Sequence, residues 1–147
     1  MQSKLIHTAA GERTYAIILA SGDEVMETLT RFAKEADLDA ASFKAIGAFE
    51  RATLAFFDWE RKEYLPIAVD EQVEVASLTG DIAIGPDGKP AVHIHAVLGR
   101  YDGSAVAGHL QRATVRPTLE VILTEAPTYL RKKLDPEIGI ALIAPDL

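Results

Sequence analysis

The chain contains no cysteine among its 147 residues. This absence excludes disulfide bonds and thiolate metal sites, so imidazole, carboxylate and water are the ligands left for a metal ion. It is compatible with a reducing compartment, and we expect a cytoplasmic protein. No stretch approaches the roughly 20 apolar residues that span a bilayer, and residues 1–7 lack the apolar segment of an export signal. We therefore expect neither a membrane segment nor secretion.

Positive charge is also scarce. The chain has 15 Lys and Arg against 22 Asp and Glu, which gives a net charge of −7. A negative net charge opposes attraction to a phosphate backbone, so nucleic-acid binding by this chain alone is disfavoured. A local basic patch remains an alternative, although a solvated charged surface is the simpler explanation for the residues concerned: Arg112, Arg116, Arg131, Lys132 and Lys133.

The length of the chain fits a single domain over residues 1–147, with its core at about residues 14–143. One main helix is predicted after a strand at residues 14–20. Ser21 and Glu24 have the spacing of a capping box, which predicts that the helix begins there with Ser21 as its cap. The apolar residues that follow recur at helical spacing and should face the core: Val25, Leu29, Phe32, Ala33 and Ala36.

Short apolar runs separated by turn residues predict a largely antiparallel sheet, and hence an α+β fold with one flanking helix. The predicted strands after the helix are residues 41–48, 52–59, 72–78, 80–84, 91–98, 118–124 and 138–143. A turn is expected at Gly85-Pro86-Asp87-Gly88, and Pro127 should mark the end of the strand predicted at residues 118–124. Because the last strand is apolar almost throughout, we expect both its faces to be covered, within the subunit or by a neighbouring chain.

Three of the four histidines, His93, His95 and His109, lie within seventeen residues of one predicted hairpin. Imidazole is the commonest metal ligand near neutral pH because it offers a neutral lone pair there. In the strand at residues 91–98, His93 and His95 share one face and apolar residues alternate on the other. Residues two apart on a strand project the same way and are roughly 6.5 to 7 Å apart at the backbone, within which two imidazoles can converge on one ion.

The position of the third ring depends on the register of the hairpin. If Arg100 pairs with Ser104 across a three-residue turn, with Gly103 in the left-handed conformation, His95 lies opposite His109. All three rings would then line one small pocket. A two-residue turn at Asp102 and Gly103 would instead move the third ring out of the cluster.

The histidines also admit a simpler explanation, in which the pair covers a polar sheet face and His109 forms a local hydrogen bond. His7, near a polar N-terminus, is expected to be only a surface residue. If the three-His site exists, zinc is the default metal, and three ligands leave a fourth position that can hold water or polarise a carbonyl group.

Several stretches together resemble the plants-and-prokaryotes conserved (PPC) domain, from about residue 14 to residue 124. The last two of the blocks that carry this resemblance are the most specific: Ile46-Gly47-Ala48, Glu74-Val75-Ala76-Ser77-Leu78-Thr79-Gly80, His93-Ile94-His95-Ala96-Val97-Leu98-Gly99, and Gly103 followed by Gly108-His109-Leu110. One departure is Ala107, which stands where many family members have glycine and removes no ligand.

The resemblance implies a homotrimer and, as in many prokaryotic members, a metal held by His93, His95 and His109. Glu120 matches an acidic position of the family and is the first candidate for a residue that orients a histidine or acts as acid or base beside the metal. In plants the domain occurs with basic AT-hook arms, and the family is often labelled DNA-binding. These 147 residues contain no such arm.

Two functions follow as expectations. The first is an oligomeric binding module, regulatory in role, whose metal pocket and sheet surfaces recognise a protein or a small molecule. The second is a zinc-dependent enzyme of lyase or hydrolase type, because the proposed ligands resemble those of α-acetolactate decarboxylase. That analogy concerns the metal ligands and transfers no acid or base.

Overall fold

One helix and nine strands make up the described part of the chain, residues 1–126 and 130–145 of a computed structural model. In chain order the elements are β1 (Gln2–Ala9), β2 (Glu12–Ala20), α1 (Val25–Glu35), β3 (Ala40–Asp58), β4 (Glu63–Val69), β5 (Val73–Ile84), β6 (Pro90–Gly99), β7 (Ala105–Glu125), β8 (Lys132–Leu134) and β9 (Ala141–Ile143). Within these residues, no helix has the length and apolar character needed to cross a bilayer.

Seven of these strands form one antiparallel sheet in the order β1-β2-β7-β6-β5-β3-β4. Because β3 also pairs with β7, the strands β3, β5, β6 and β7 form a closed cycle of hydrogen-bonded neighbours. Helix α1 contacts β6 and β7. The prediction of a single domain with a largely antiparallel sheet and one flanking helix is confirmed in these residues.

Strands β3 and β7 are longer than the sequence pattern predicts. Residues 41–48 and 52–59 were expected as two strands, but β3 runs through both and absorbs irregularities in its pairing between Gly47 and Arg51. Likewise, β7 includes both His109 and the predicted strand at residues 118–124. It also contains Pro117, which is tolerated because the pairing with β3 is interrupted there, between Val115 and Leu119. The predicted strands 72–78 and 80–84 are also one element, β5. Bulges allow a strand to bend without ending, which is why local breaks in pattern were misleading.

The N-cap of the helix lies three residues later than predicted. Glu24, not Ser21, is the N-cap, and its carboxylate accepts hydrogen bonds from the amide of Glu27 at 2.7 Å and from that of Ala113 at 3.0 Å. The Ser21 hydroxyl instead donates to the carbonyl of Pro117. Glu24 is preferred because its two oxygens satisfy amides of both the helix and β7. The predicted apolar stripe does face the core, with Val25, Leu29, Phe32 and Ala33 buried.

Two edge strands lack the signals that sequence analysis relies on. Every residue of β1 is exposed, so it shows no buried face. Strand β4 contains Pro66, which ordinarily argues against a central strand but is tolerated at a sheet edge. Pairing of β4 with β3 places Tyr64 opposite Phe57, which brings Tyr64 close to the histidines, as described below.

The predicted apolar strand at residues 138–143 is wrong in extent and in burial. Only Ala141–Ile143 form a strand, β9, which pairs with β8, and all three residues are exposed in the single chain. The amides of Glu137 and Ile138 donate to the Asp135 carboxylate and hold the preceding residues in a turn. Coverage by a neighbouring chain stays a prediction. Pro127, expected to end a strand, lies outside the described residues.

A close contact at Gly80 generates the first prediction. A Cβ atom on Gly80 would lie 2.6 Å from the carbonyl oxygen of His93 and would also collide with the ring of Phe43. We expect Gly80→Ala to lower the free energy of unfolding by about 1–3 kcal/mol, measured by urea denaturation.

Gly99→Ala is the matched control for this prediction. It also lies in a strand of the sheet, but a Cβ atom there would meet nothing closer than 3.9 Å. We expect a change below about 0.5 kcal/mol for Gly99→Ala. Equal effects of the two substitutions would contradict the steric explanation.

Candidate metal centre

The turn between β6 and β7 sets the position of the histidines. The amide of Arg100 donates to the carbonyl of Ser104 at 2.8 Å, and Gly103 has a φ of 82°. Asp102 stabilises the turn by accepting hydrogen bonds from the amide and the hydroxyl of Ser104 at 2.9 and 2.6 Å. This is the predicted three-residue turn, and it pairs His95 with His109. The two-residue alternative is therefore wrong.

The three imidazole rings surround one point. Their centroids are 5.1 Å apart for His93 and His95, 5.1 Å for His93 and His109, and 5.5 Å for His95 and His109. One nitrogen from each ring lies within 4.8 Å of those of the other two. Imidazoles bound to one tetrahedral ion with metal–nitrogen distances of about 2.1 Å would have centroids about 5 Å apart. The rings are thus already at the spacing that a shared ion requires.

Asp81 fixes the orientation of His93. Its Oδ2 atom lies 3.0 Å from Nδ1 of His93, and the two residues are paired between β5 and β6. Burial pushes the pKa of Asp81 upward, but hydrogen bonds from His93 and Lys132 outweigh this and lower the pKa overall. An ionised carboxylate only accepts hydrogen bonds, so Nδ1 of His93 donates to Asp81 and Nε2 is the nitrogen left to bind a metal.

An aromatic side chain packs against His109. The ring of Tyr64 stacks on it with centroids 4.7 Å apart and an interplanar angle of 29°, and Phe57 in turn meets Tyr64 edge-on at 5.1 Å. Nδ1 of His109 is buried and has no hydrogen-bond partner among the described residues. An unpaired buried nitrogen is destabilising by about 1–3 kcal/mol, and metal coordination by this nitrogen is one way to remove that cost.

Two of the rings favour the neutral state that a metal requires. Burial lowers the pKa of His109 to about 4, and the nearby charges of His93, His95 and Lys132 act in the same direction. Burial and the proximity of His93 lower the pKa of His95, although Asp81 opposes this. These rings therefore keep their lone pairs available at pH values where an ordinary imidazole is protonated.

The donor set fits a divalent metal on three independent grounds: the ring spacing, the unpaired nitrogen of His109 and the carboxylate behind His93. Carboxylate–histidine pairs of this kind are typical of zinc sites, where they fix the tautomer of the ligand. His95 is exposed, and a cavity of about 270 Å³ next to it is lined by Thr79, Gly80, Asp81 and the histidine pair of β6. A small molecule therefore has access to the rings from solvent.

Glu120 lies elsewhere on the sheet. It pairs with Ile18 and Ile46 and lines a groove with them. His95 pairs with Thr79 of β5, Thr79 pairs with Lys44 of β3, and Lys44 pairs with Ile122 of β7. Ile122 is two residues from Glu120 and lies on the same face of β7. Three strand-to-strand steps along the sheet thus lie between His95 and that part of β7, and Glu120 is absent from the group of converging side chains. Within one chain, Glu120 is not part of the histidine cluster.

One of the five basic residues named in the sequence, Lys132, does not belong to a surface patch. Lys132 is buried, and its Nζ atom lies 2.8 Å from Oδ1 of Asp81. Both predictions for Lys132, a basic patch and a solvated surface, are therefore wrong, because its side chain is buried in an ion pair with Asp81. Arg116 is exposed and lies 3.7 Å from Glu50. His7 is exposed on β1, as expected.

Three residues of the site were missed in the sequence: Asp81, Tyr64 and Lys132. A partial signal existed for Asp81, because the predicted turn at residues 85–88 makes β5 and β6 neighbours. The exact pairing of Ile84 with Pro90, and so of Asp81 with His93, comes from the structure. Tyr64 lies on an edge strand that was not predicted. Lys132 is about fifty residues from Asp81 in sequence, and no local pattern indicates such a contact.

The chain resembles one curated protein, the Bifunctional protein GlmU of Synechococcus sp. (strain JA-3-3Ab), with 30% identity over 130 residues. That match covers 86% of this chain but 20% of the relative, so the chain spans about a fifth of its length. The bifunctional activity in the name of that relative is a property of the relative as a whole protein.

Solved structures resemble this chain over nearly its full length. A candidate DNA-binding protein from Ralstonia eutropha JMP134 has 33% identity and a TM-score of 0.84, covering 96% of this chain and 95% of its own. The metal-containing protein AF0104 from Archaeoglobus fulgidus has 30% identity and a TM-score of 0.81, covering 89% and 92%. A Staphylococcus aureus protein similar to α-acetolactate decarboxylase shares the fold alone, with 13% identity and a TM-score of 0.57 over 79% of this chain and 53% of its own.

The family assignment rests on a match that covers most of the chain. Residues 6–127 match the Plants and Prokaryotes Conserved (PCC) domain, the family called PPC above. The matched region contains the three histidines, Asp81 and Tyr64, and the Ralstonia and Archaeoglobus structures described above have the same fold. This chain is therefore a member of the Plants and Prokaryotes Conserved domain family.

Proposed function

We propose that this chain is a binding module of its family in which His93, His95 and His109 hold a divalent metal ion. The observation that carries the proposal is the convergence of the three rings, with one nitrogen from each within 4.8 Å of the others. Zinc is the proposed ion, because the donors are three imidazoles without thiolates and carboxylates are absent from the group. The relative from Archaeoglobus fulgidus, which is described as metal-containing, supports the presence of a metal ion.

Each residue of the site has a distinct part in this proposal. The three histidines would hold the ion, Asp81 would keep Nε2 of His93 directed at it, and Tyr64 would limit rotation of His109. A metal bound there would supply a Lewis acid with an open position. The exposed side of His95 and the adjacent cavity would admit a small anionic or carbonyl ligand, through which the module would act in regulation.

Direct binding of nucleic acid is the less favoured role. The similarity to a candidate DNA-binding protein reflects membership of the same family. In this chain the net charge is −7, Lys132 is neutralised by Asp81, and Glu50 faces Arg116. Phosphate contact depends on accessible Lys and Arg, so we propose a protein or a small molecule as the partner.

Metal-dependent catalysis is the second candidate, favoured by the solvent-accessible cavity beside His95. Glu120 is the proposed acid or base of this alternative. Because Glu120 lines a separate groove within one chain, this role would require a neighbouring subunit to bring it near the histidines.

We further propose a homotrimer located in the cytoplasm. Large apolar side chains are exposed in the single chain, including Ile46 at 63% on the groove of Glu120 and Leu142 and Ile143 at 42% each on β9. Tyr101 is completely exposed at the tip of the β6–β7 hairpin. Contact with other copies of the chain would cover such surfaces.

Loss of single ligands tests the metal site. We expect His95→Ala and His109→Ala each to reduce bound zinc to substoichiometric levels while the fold is retained, since two imidazoles hold zinc far less tightly than three. The measurement is elemental analysis of protein purified without a histidine tag. His7→Ala is the control and should retain the wild-type content; full retention in both site variants would contradict the proposal.

The lowered pKa values predict how acidification affects zinc affinity. Protons and metal compete for the same nitrogens, so three ordinary imidazoles with pKa values of about 6.5 would cost about 50-fold in affinity between pH 7.5 and pH 6. Because the pKa of His109 is about 4 and that of His95 is also lowered, we expect a loss below about tenfold over this range. Chelator competition at both pH values measures it, and a 50-fold loss would show that the rings behave as ordinary imidazoles.

Static light scattering tests the oligomer. We expect a mass about three times that of the 15.9 kDa chain at micromolar concentration. Ile46→Glu places a charge on the exposed groove and should lower this mass, whereas Ile6→Glu, at a similarly apolar exposed position on β1, should not. A monomeric wild-type protein would contradict the proposed assembly.

A further inference from the structure

Lys132 has an unusual position for a lysine. It lies on β8, its side chain is 8% exposed, and its Nζ atom is 2.8 Å from Oδ1 of Asp81. Lysine is almost never buried without a partner, because the charged form loses its hydration. The ion pair with Asp81 therefore explains why this side chain is inside.

Asp81 connects Lys132 to a histidine of the candidate metal centre. One carboxylate oxygen faces Lys132 and the other lies 3.0 Å from Nδ1 of His93. The contact of Oδ1 is an ion pair without hydrogen-bond geometry, and together with the contact to His93 it favours one orientation of the carboxylate. If Lys132 were absent, Oδ1 would lose its charged partner and the carboxylate would be freer to rotate away from His93.

The backbone holds Lys132 in this position. The amide of Ile84, at the end of β5, donates to the carbonyl of Leu130 at 2.8 Å, and Arg131 forms a parallel bridge with Ile84. The amide of Ala144 donates to the carbonyl of Arg131 at 2.9 Å. The hairpin of β8 and β9 is thus attached to β5 three residues from Asp81, so its packing and the orientation of Asp81 are coupled.

We infer that Lys132 is a positioning residue of the metal site, which acts through Asp81 on His93. The inference rests on the proposed function, since it assigns a role within the same site. It extends that site beyond the family match, which ends at residue 127, to a hairpin that this match does not include.

A double-mutant cycle separates this role from simple structural support. The variants are Lys132→Met, Asp81→Asn and the pair together, with Lys133→Met as control because Lys133 is the exposed neighbour on the same strand. Lys132→Gln replaces the methionine variant if the latter does not fold. Zinc affinity is measured for each by competition with a chromophoric chelator.

We expect Lys132→Met to weaken zinc binding about tenfold, at the low end of the range for residues that orient metal ligands. In the Asp81→Asn background the same substitution should have less than a twofold effect, and Lys133→Met should have none. Wild-type affinity in Lys132→Met, or an equal loss with and without Asp81, would overturn the inference.

A measurement on the metal-free protein distinguishes failure of the inference from failure of the proposed function. Nitrogen-15 NMR of the imidazoles reports which nitrogen of His93 carries the proton. We expect the Nδ1–H tautomer in the wild type and a mixture in Lys132→Met. A wild type that binds no zinc but shows this shift refutes the metal function alone, whereas an unchanged tautomer in Lys132→Met refutes the role of Lys132.

Discussion

The register of the β6–β7 hairpin is the constraint on which the candidate centre depends. Side chains alternate between the faces of a strand, so a shift of one residue would turn His109 to the opposite face of the sheet from His95. The turn at Arg100 to Ser104 prevents this shift, because its closing hydrogen bond and the positive φ of Gly103 suit a three-residue loop. Asp102 reinforces the same loop through Ser104. A surface turn thus determines where the three rings meet.

Electrostatics then make these rings suitable as ligands. Burial favours the neutral state of His109, whereas Asp81 gives His93 a defined tautomer. The two effects come from opposite sides of the cluster: an aromatic wall of Tyr64 and Phe57 beside His109, and a charged pair behind His93. Among the three, His95 is exposed, whereas His93 and His109 are partly buried. The centre is therefore rigid on two sides and accessible on the third.

Much of this arrangement is predictable from sequence where the determinants are local. The alternation around His93, the turn at Gly103 and the helical stripe from Val25 each act over a few residues, and each corresponds to an observed element. The failures involve contacts distant in sequence. Glu24 caps the helix because it also accepts a hydrogen bond from the amide of Ala113. Lys132 is buried because it forms an ion pair with Asp81 on another strand. Strands β3 and β7 continue through apparent breaks because partners on both sides support them.

The attachment of β8 and β9 to β5 affects how the domain can be shortened. A chain trimmed to the matched family segment would keep every imidazole, yet it would leave the Asp81 carboxylate half-buried without its ammonium partner. Removing one member of a buried ion pair destabilises the folded protein, because the remaining charge stays desolvated without a partner. The segment that is recognisable as the family is therefore smaller than the unit that would fold and function as this protein does.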